Sequence, residues 1–118
     1  MTTNVELGKF GESLATQYFE LLGCEILDRN WRCPLGEIDL VIRDGGYTAC
    51  VEVKTRRSLR AGHPLEAITP EKLQRMRQVA GQWAAAHPGQ RTKLRLDVIS
   101  VVVTGCSDPV LKHLEGVG

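Results

Sequence analysis

Long apolar runs, paired cysteines, clustered histidines and repeated segments are all missing from this 118-residue chain, and each absence removes a class of protein. No apolar stretch approaches the roughly 20 residues of a membrane-spanning helix. The opening residues, MTTNVELGKFGES, show no basic start followed by an apolar core, so no signal peptide is read there and a cytoplasmic address is expected. Cys24, Cys33, Cys50 and Cys106 are widely spaced without a CxxC pair, and His63, His87 and His113 are equally scattered. That spacing argues against a zinc site or a disulfide framework and for buried or incidental thiols. With no repeat or low-complexity tract, what remains is 42% hydrophobic and 25% charged. Such a profile predicts one soluble globular domain over residues 1–118, with a single core.

A net charge of +1 conceals a strong asymmetry. Residues 1–53 hold nine acidic and four basic groups, whereas residues 54–95 hold ten basic groups against only Glu66 and Glu71. The basic set is Lys54, Arg56, Arg57, Arg60, Lys72, Arg75, Arg77, Arg91, Lys93 and Arg95. Clusters of this kind bind phosphate backbones, although each residue taken singly also fits an ordinary solvated surface.

The acidic and basic regions meet in the stretch GEIDLVIRDGGYTACVEVK, residues 36–54. Two alternating runs, 37–43 and 47–54, flank Asp44-Gly45-Gly46, which predicts a β-hairpin. Period-two alternation places Ile38, Leu40 and Ile42 on one face and Glu37, Asp39 and Val41 on the other. On the second strand Tyr47, Ala49, Val51 and Val53 point one way and Thr48, Cys50, Glu52 and Lys54 the other. A Gly45-Gly46 loop sets Asp39 opposite Glu52 and Glu37 opposite Lys54, with opposed Cβ atoms within about 5.5 Å, whereas an Asp44-Gly45 loop shifts the register by two and keeps all four charged groups on one face. Two carboxylates so placed repel unless a cation or a proton lies between them. Oxygen ligands favour Mg²⁺ or Mn²⁺, and Lys54 beside them suits phosphodiester hydrolysis. The competing reading is a solvated face on which Glu37 pairs with Lys54.

Around this hairpin the spacing predicts a helix over 4–22, with Thr3 as N-cap and Glu6 completing a capping box. Val5, Leu7, Phe10, Leu14, Ala15, Tyr18, Phe19, Leu21 and Leu22 form its apolar arc, and Thr16 falls on the polar side. Glu12 is the charged residue on the apolar side, so it is read as a third acidic group aimed at the site, with an edge position reaching solvent as the alternative. Gly8 and Gly11 would allow close approach of the helix backbone. Gly23 ends the helix, residues 24–32 form a short strand, and Trp31 is read as a packing residue rather than a base-stacking one. The polar stretch after Lys54 supplies Arg56, Arg57 and Arg60 as phosphate contacts. A second helix starts at Thr69-Pro70 and buries Leu73, Met76, Val79, Ala80, Trp83 and Ala84, leaving Lys72, Arg75 and Gln78 exposed. Residues 94–103 read as a buried strand in which Arg95 and Asp97 share a face, either pairing with each other or supporting the site from behind. The tail, 104–118, adds an edge strand or stays loosely ordered.

The order is α-β-β-β-α-β. GKFGESLA at 8–15, RNWRCPLGEIDLVI at 29–42, VEVKTR at 51–56 and RLDVISV at 95–101 together resemble the YraN-like family of predicted endonucleases. That bacterial group is similar to archaeal Holliday-junction resolvases. The resemblance implies a restriction-endonuclease-like α/β fold, a central mixed sheet flanked by helices. It also implies Asp39 and Glu52 as ligands of Mg²⁺ or Mn²⁺, the Val53 carbonyl completing the coordination, Lys54 as the catalytic lysine and Glu12 as the acidic residue of the first helix. Glu37 stands in the GEIDL motif in a supporting role, and Arg56, Arg57, Arg60, Lys72 and Arg75 are the expected nucleic-acid contacts. Branched or junction DNA is the substrate expected from the resemblance, and a two-fold substrate favours a homodimer. Structured RNA would be served by the same residues. A module that binds nucleic acid or docks a partner without turnover is the alternative from another class.

Overall fold

A computed structural model describes residues 3–58, 68–90, 92–105 and 107–118. Arg60, His63, Arg91 and Cys106 lie outside the described residues. Helix α1 (Asn4–Leu21) is followed by strands β1 (Glu25–Cys33), β2 (Gly36–Asp44) and β3 (Tyr47–Arg56), helix α2 (Pro70–Ala86), and strands β4 (Lys93–Val102) and β5 (Val110–Leu114). The five strands form one sheet in chain order, antiparallel throughout except for the parallel pair β3 and β4 that α2 connects. A parallel pair requires a crossover of this kind. The tail thus supplies the edge strand β5.

One helix covers each face of the sheet. Ala15 and Phe19 of α1 pack on Leu40, Ile42, Ala49, Val51, Ile99 and Val101. Val79, Ala80 and Trp83 of α2 pack on Ile38, Val41, Cys50 and Leu96. Both helices start as their sequences dictate. The Thr3 hydroxyl accepts the Glu6 N–H, and the Thr69 hydroxyl accepts the Lys72 N–H beside Pro70 at the first helical position.

Helix α1 is rotated from the orientation its apolar arc predicts. Leu7, Gly11, Ala15, Thr16 and Phe19 are buried, while Val5, Phe10, Leu21 and Leu22 are exposed. The cause is the contact at Gly11, where a Cβ would collide with the Thr55 side chain. Closest approach of the helix backbone to β3 turns the stripe 7-11-15-19 inward, and Thr16 follows it, its hydroxyl donating to the Glu12 carbonyl.

The hairpin has the two-residue loop, with Asp44 opposite Tyr47 and a positive φ at Gly45. Its ladder ends at Leu40 opposite Val51, one pair before the predicted Asp39 and Glu52 pair. The expected face assignment also changes there, because Ile38 lies against α2 and Leu40 against α1. In a regular strand these two side chains share a face. β2 therefore turns over at Asp39. Its neighbour β1 turns with it: Trp31 pairs with Ile38, packs with it on the α2 side, and follows Asn30, whose φ is +49°. A non-glycine residue with positive φ is uncommon, and Asn is among the few side chains that tolerate it.

Candidate active site

Asp39 sits at this turnover, and its carboxylate replaces the ladder that ends beside it. Asp39 Oδ2 accepts the Val53 N–H at 2.7 Å, which uses one of the two carboxylate oxygens. Burial pushes its carboxyl up to about 6, the Val53 bond opposes that shift, and the carboxylates of Glu12, Glu52 and Glu37 reinforce it. The predicted convergence of negative charge is therefore present around Asp39, brought about by the strand turnover rather than by a continuous ladder.

Glu52 lies on the α2 side in a cleft of about 470 Å³ lined by Glu37, Thr69, Lys72 and Arg75. Glu52 Oε1 is 3.1 Å from Lys72 Nζ and 3.8 Å from Lys54 Nζ. Among the described residues, Glu52 Oε2 is buried and has no hydrogen-bond partner. The Lys54 ammonium is held below the usual lysine range, first by Lys72 beside it and then by burial, with Glu52 opposing. Lys72 was expected on the exposed surface of α2. It is half-buried because positions 72, 76, 79 and 83 continue one helical stripe towards the sheet, a spacing visible in the sequence.

Glu12 borders a different groove, of about 340 Å³, between α1 and β1, with Lys9, Ser13, Arg29 and Asn30. Asp39 senses the charge of both Glu12 and Glu52. Among the described residues, however, no three His, Cys, Asp or Glu side chains are close enough to hold one ion. Glu12 thus contributes potential across the strand and does not join a three-carboxylate cage. Glu37 is exposed and pairs with Arg32 at 3.1 Å, its cross-strand neighbour on β1, rather than with Lys54. The cause is again the early end of the β2 and β3 ladder.

The remaining predicted contacts are dispersed. Arg75 is exposed in the Glu52 cleft, Arg56 is half-buried at the end of β3, and Arg57 is exposed and donates to Asn4 Oδ1. Lys9 and Arg29 beside Glu12 were not singled out from the sequence, because they precede the basic segment and only the packing of α1 on β1 unites them. Trp31 is a packing residue, edge-on to His87, which stacks on Trp83.

The uncharacterised protein family UPF0102 matches residues 11–101, a span that contains Glu12, Asp39, Glu52, Lys54 and Lys72. The chain belongs to UPF0102. The motif resemblance to YraN-like proteins agrees with that membership. A UPF0102 protein of Renibacterium salmoninarum is 50% identical over 118 residues, covering 100% of both chains. A UPF0102 protein of Beutenbergia cavernae is 47% identical over 112 residues, 95% of each chain, and one of Nocardia farcinica is 49% identical over 111 residues, 94% of this chain and 87% of the other. The UPF0102 match ends within β4, so β5 and the segment after it lie beyond it. No helix among the described residues is long and apolar enough to cross a membrane.

Proposed function

We propose that this UPF0102 protein is a Mg²⁺- or Mn²⁺-dependent endonuclease of the restriction-endonuclease-like class, hydrolysing phosphodiester bonds in DNA, with branched or junction DNA as its substrate. One observation carries the reading. Half-buried Asp39 is pushed towards its neutral form, in part by the charge of Glu52, whose Oε2 is buried without a hydrogen-bond partner among the described residues. Carboxylates held in this way are compensated by a hard cation. Asp39, Glu52 and the Val53 carbonyl are the groups that would hold it, and two carboxylates with a carbonyl leave room for water and a substrate phosphate. When bound, the ion supplies Lewis-acid stabilisation of the negative charge that grows on the phosphate.

The chain's own residues account for the rest. Hydrolysis requires a water oxygen to attack phosphorus while the bond to the leaving sugar oxygen breaks and that oxygen takes a proton. Lys54, half-buried beside Glu52, offers an ammonium to the attacking water and to the phosphate oxygens. Asp39 is pinned by the Val53 N–H, so its free oxygen keeps one orientation. Arg75 in the cleft and Arg56 and Arg57 at the end of β3 meet flanking phosphates, and a symmetric dimer would present two such sites to a junction.

The non-catalytic binding module is favoured by a single feature: Lys54 and Lys72 already compensate Glu52. Cleavage of labelled duplex, single-stranded, flap and four-way-junction DNA and of a structured RNA, with Mg²⁺, Mn²⁺ or chelator, separates the readings. Metal-dependent cutting lost in Lys54→Ala is the expected result. Salt-sensitive binding without cutting would favour the module instead.

A further inference from the structure

We infer that Lys72 is a positioning residue that occupies the divalent cation's place at Glu52 in the metal-free protein, so that metal entry requires Lys72 to leave for an anionic ligand in the adjoining cleft. The inference rests on the metallonuclease reading and adds a means by which metal and substrate binding are coupled.

Lys72 stands where a lysine is unfavourable on local grounds. It lies in the first turn of α2, and the positive end of a helix dipole disfavours a cation there. Its ammonium nevertheless turns inward and approaches Glu52 Oε1 at 3.1 Å, closer than the 3.8 Å of Lys54 on the same strand as Glu52. Lys54 by itself would serve as a counter-ion for Glu52. A second ammonium at the same oxygen crowds the first. Two positive charges gathered at one carboxylate oxygen, with the other buried and unpartnered among the described residues, imitate the charge of a divalent ion more closely than they resemble a stability-driven ion pair.

The same cleft provides Lys72 with somewhere to go. Arg75 one turn along α2, Thr69 at its N-cap and Gly36 at the start of β2 line it, with the carboxylates of Glu37 and Glu71 at its edge, so an anion there depends on Arg75 and the incoming Lys72. The flexible lysine stem allows the ammonium to swing from Glu52 to a phosphate in that space. A cation at Glu52 repels Lys72, and a polyanion attracts it. Metal and anionic substrate therefore strengthen each other's binding, and linkage makes that effect reciprocal.

Mn²⁺ calorimetry on the full chain tests this directly. Lys72→Met is expected to bind Mn²⁺ about tenfold more tightly than wild type, since a competing charge close to the site has gone. Lys72→Arg, which keeps the charge, and Lys112→Met, which removes an exposed charge on β5, are expected to stay within about twofold of wild type. A nuclease-resistant phosphorothioate duplex should tighten Mn²⁺ binding more for wild type than for Lys72→Met. In chelator, urea denaturation of Lys72→Met, Glu52→Gln and the double variant should be non-additive; additivity overturns the inference. Unchanged or weaker Mn²⁺ binding in Lys72→Met, with wild-type uptake still abolished by Asp39→Ala, overturns this inference and leaves the metallonuclease reading standing. Absence of Mn²⁺ uptake in both wild type and Lys72→Met overturns both.

Discussion

Asp39 is a carboxyl group placed where its charge is disfavoured, and its titration carries a stability consequence. Its folded value of about 6 lies above the 3.8 usual for an aspartate. The native state therefore holds the proton more firmly than the unfolded chain, so the stability it contributes is complete below about pH 4 and is lost as pH rises through about 6. Asp39→Asn retains an acceptor for the Val53 N–H and removes the charge. In chelator at pH 7.5 we expect Asp39→Asn to be more stable than wild type by about 1–3 kcal/mol, a gain that shrinks towards pH 4. Urea denaturation at the two pH values checks this, and Mn²⁺ should stabilise wild type and not the variant. Asp39, Glu52 and Lys54 were legible in the sequence as charged neighbours on one hairpin, but the strand turnover at Asp39, which hairpin parity does not contain, is what places Asp39. The role of Lys72 was less legible, since its partner Glu52 lies on a strand separated from α2 by the basic segment.

At the level of elements, α1 shows how one glycine overrides a hydrophobic arc. Gly11 abuts Thr55, and a β-branched side chain on a strand has little freedom to retreat. Gly8, three residues earlier on the same helix, has open space around the position of a Cβ. We expect Gly11→Ala to destabilise the protein by about 1–3 kcal/mol through overpacking, and Gly8→Ala to stabilise it by about 0.5–1 kcal/mol through helix propensity. Thermal unfolding of the two variants side by side gives opposite signs if the docking contact is as described. The caps, the hairpin loop and the α2 stripe followed from local patterns. The rotation of α1 did not, because it depends on which strand residue lies beneath Gly11.

Across the whole molecule, Asp97 ties the C-terminal part of the chain to the sheet. It is fully buried, accepts from Arg95 Nε at 2.9 Å and from the Gly116 N–H at 3.1 Å, and lies 2.7 Å from His113 Nε2. His113 Nδ1 in turn meets the Tyr18 hydroxyl of α1 at 2.9 Å, and Arg95 extends the network to Asp44 and Glu115. The predicted pairing of Arg95 with Asp97 is therefore one link of a longer chain that joins α1, the hairpin turn, β4, β5 and the segment after β5. Removing its centre leaves His113 Nε2 and the Gly116 N–H without their acceptor and Arg95 with only the more exposed Asp44 and Glu115, so Asp97→Ala should cost about 3–5 kcal/mol. Glu115→Ala, at the exposed end of the network, should cost less than about 1 kcal/mol. Equal losses for the two variants in urea denaturation would contradict this account.

The sequence by itself determined the features that depend on near neighbours: both helix starts, the Gly45-Gly46 turn, the strand periodicity, and the motifs that place the chain in its family. Each is written in spacings of two to four residues, within which backbone geometry relates side chains directly. Tertiary structure decided where that periodicity breaks. The ladder ends before Asp39, Asn30 and Asp39 turn two strands over, and Ile38 and Trp31 thereby join the α2 side while Glu37 leaves Lys54 for Arg32. It also brought Lys72 to Glu52 and His113 to Asp97. Pairings of that kind depend on how helices and strands distant in the chain pack across the sheet, and no local spacing encodes them.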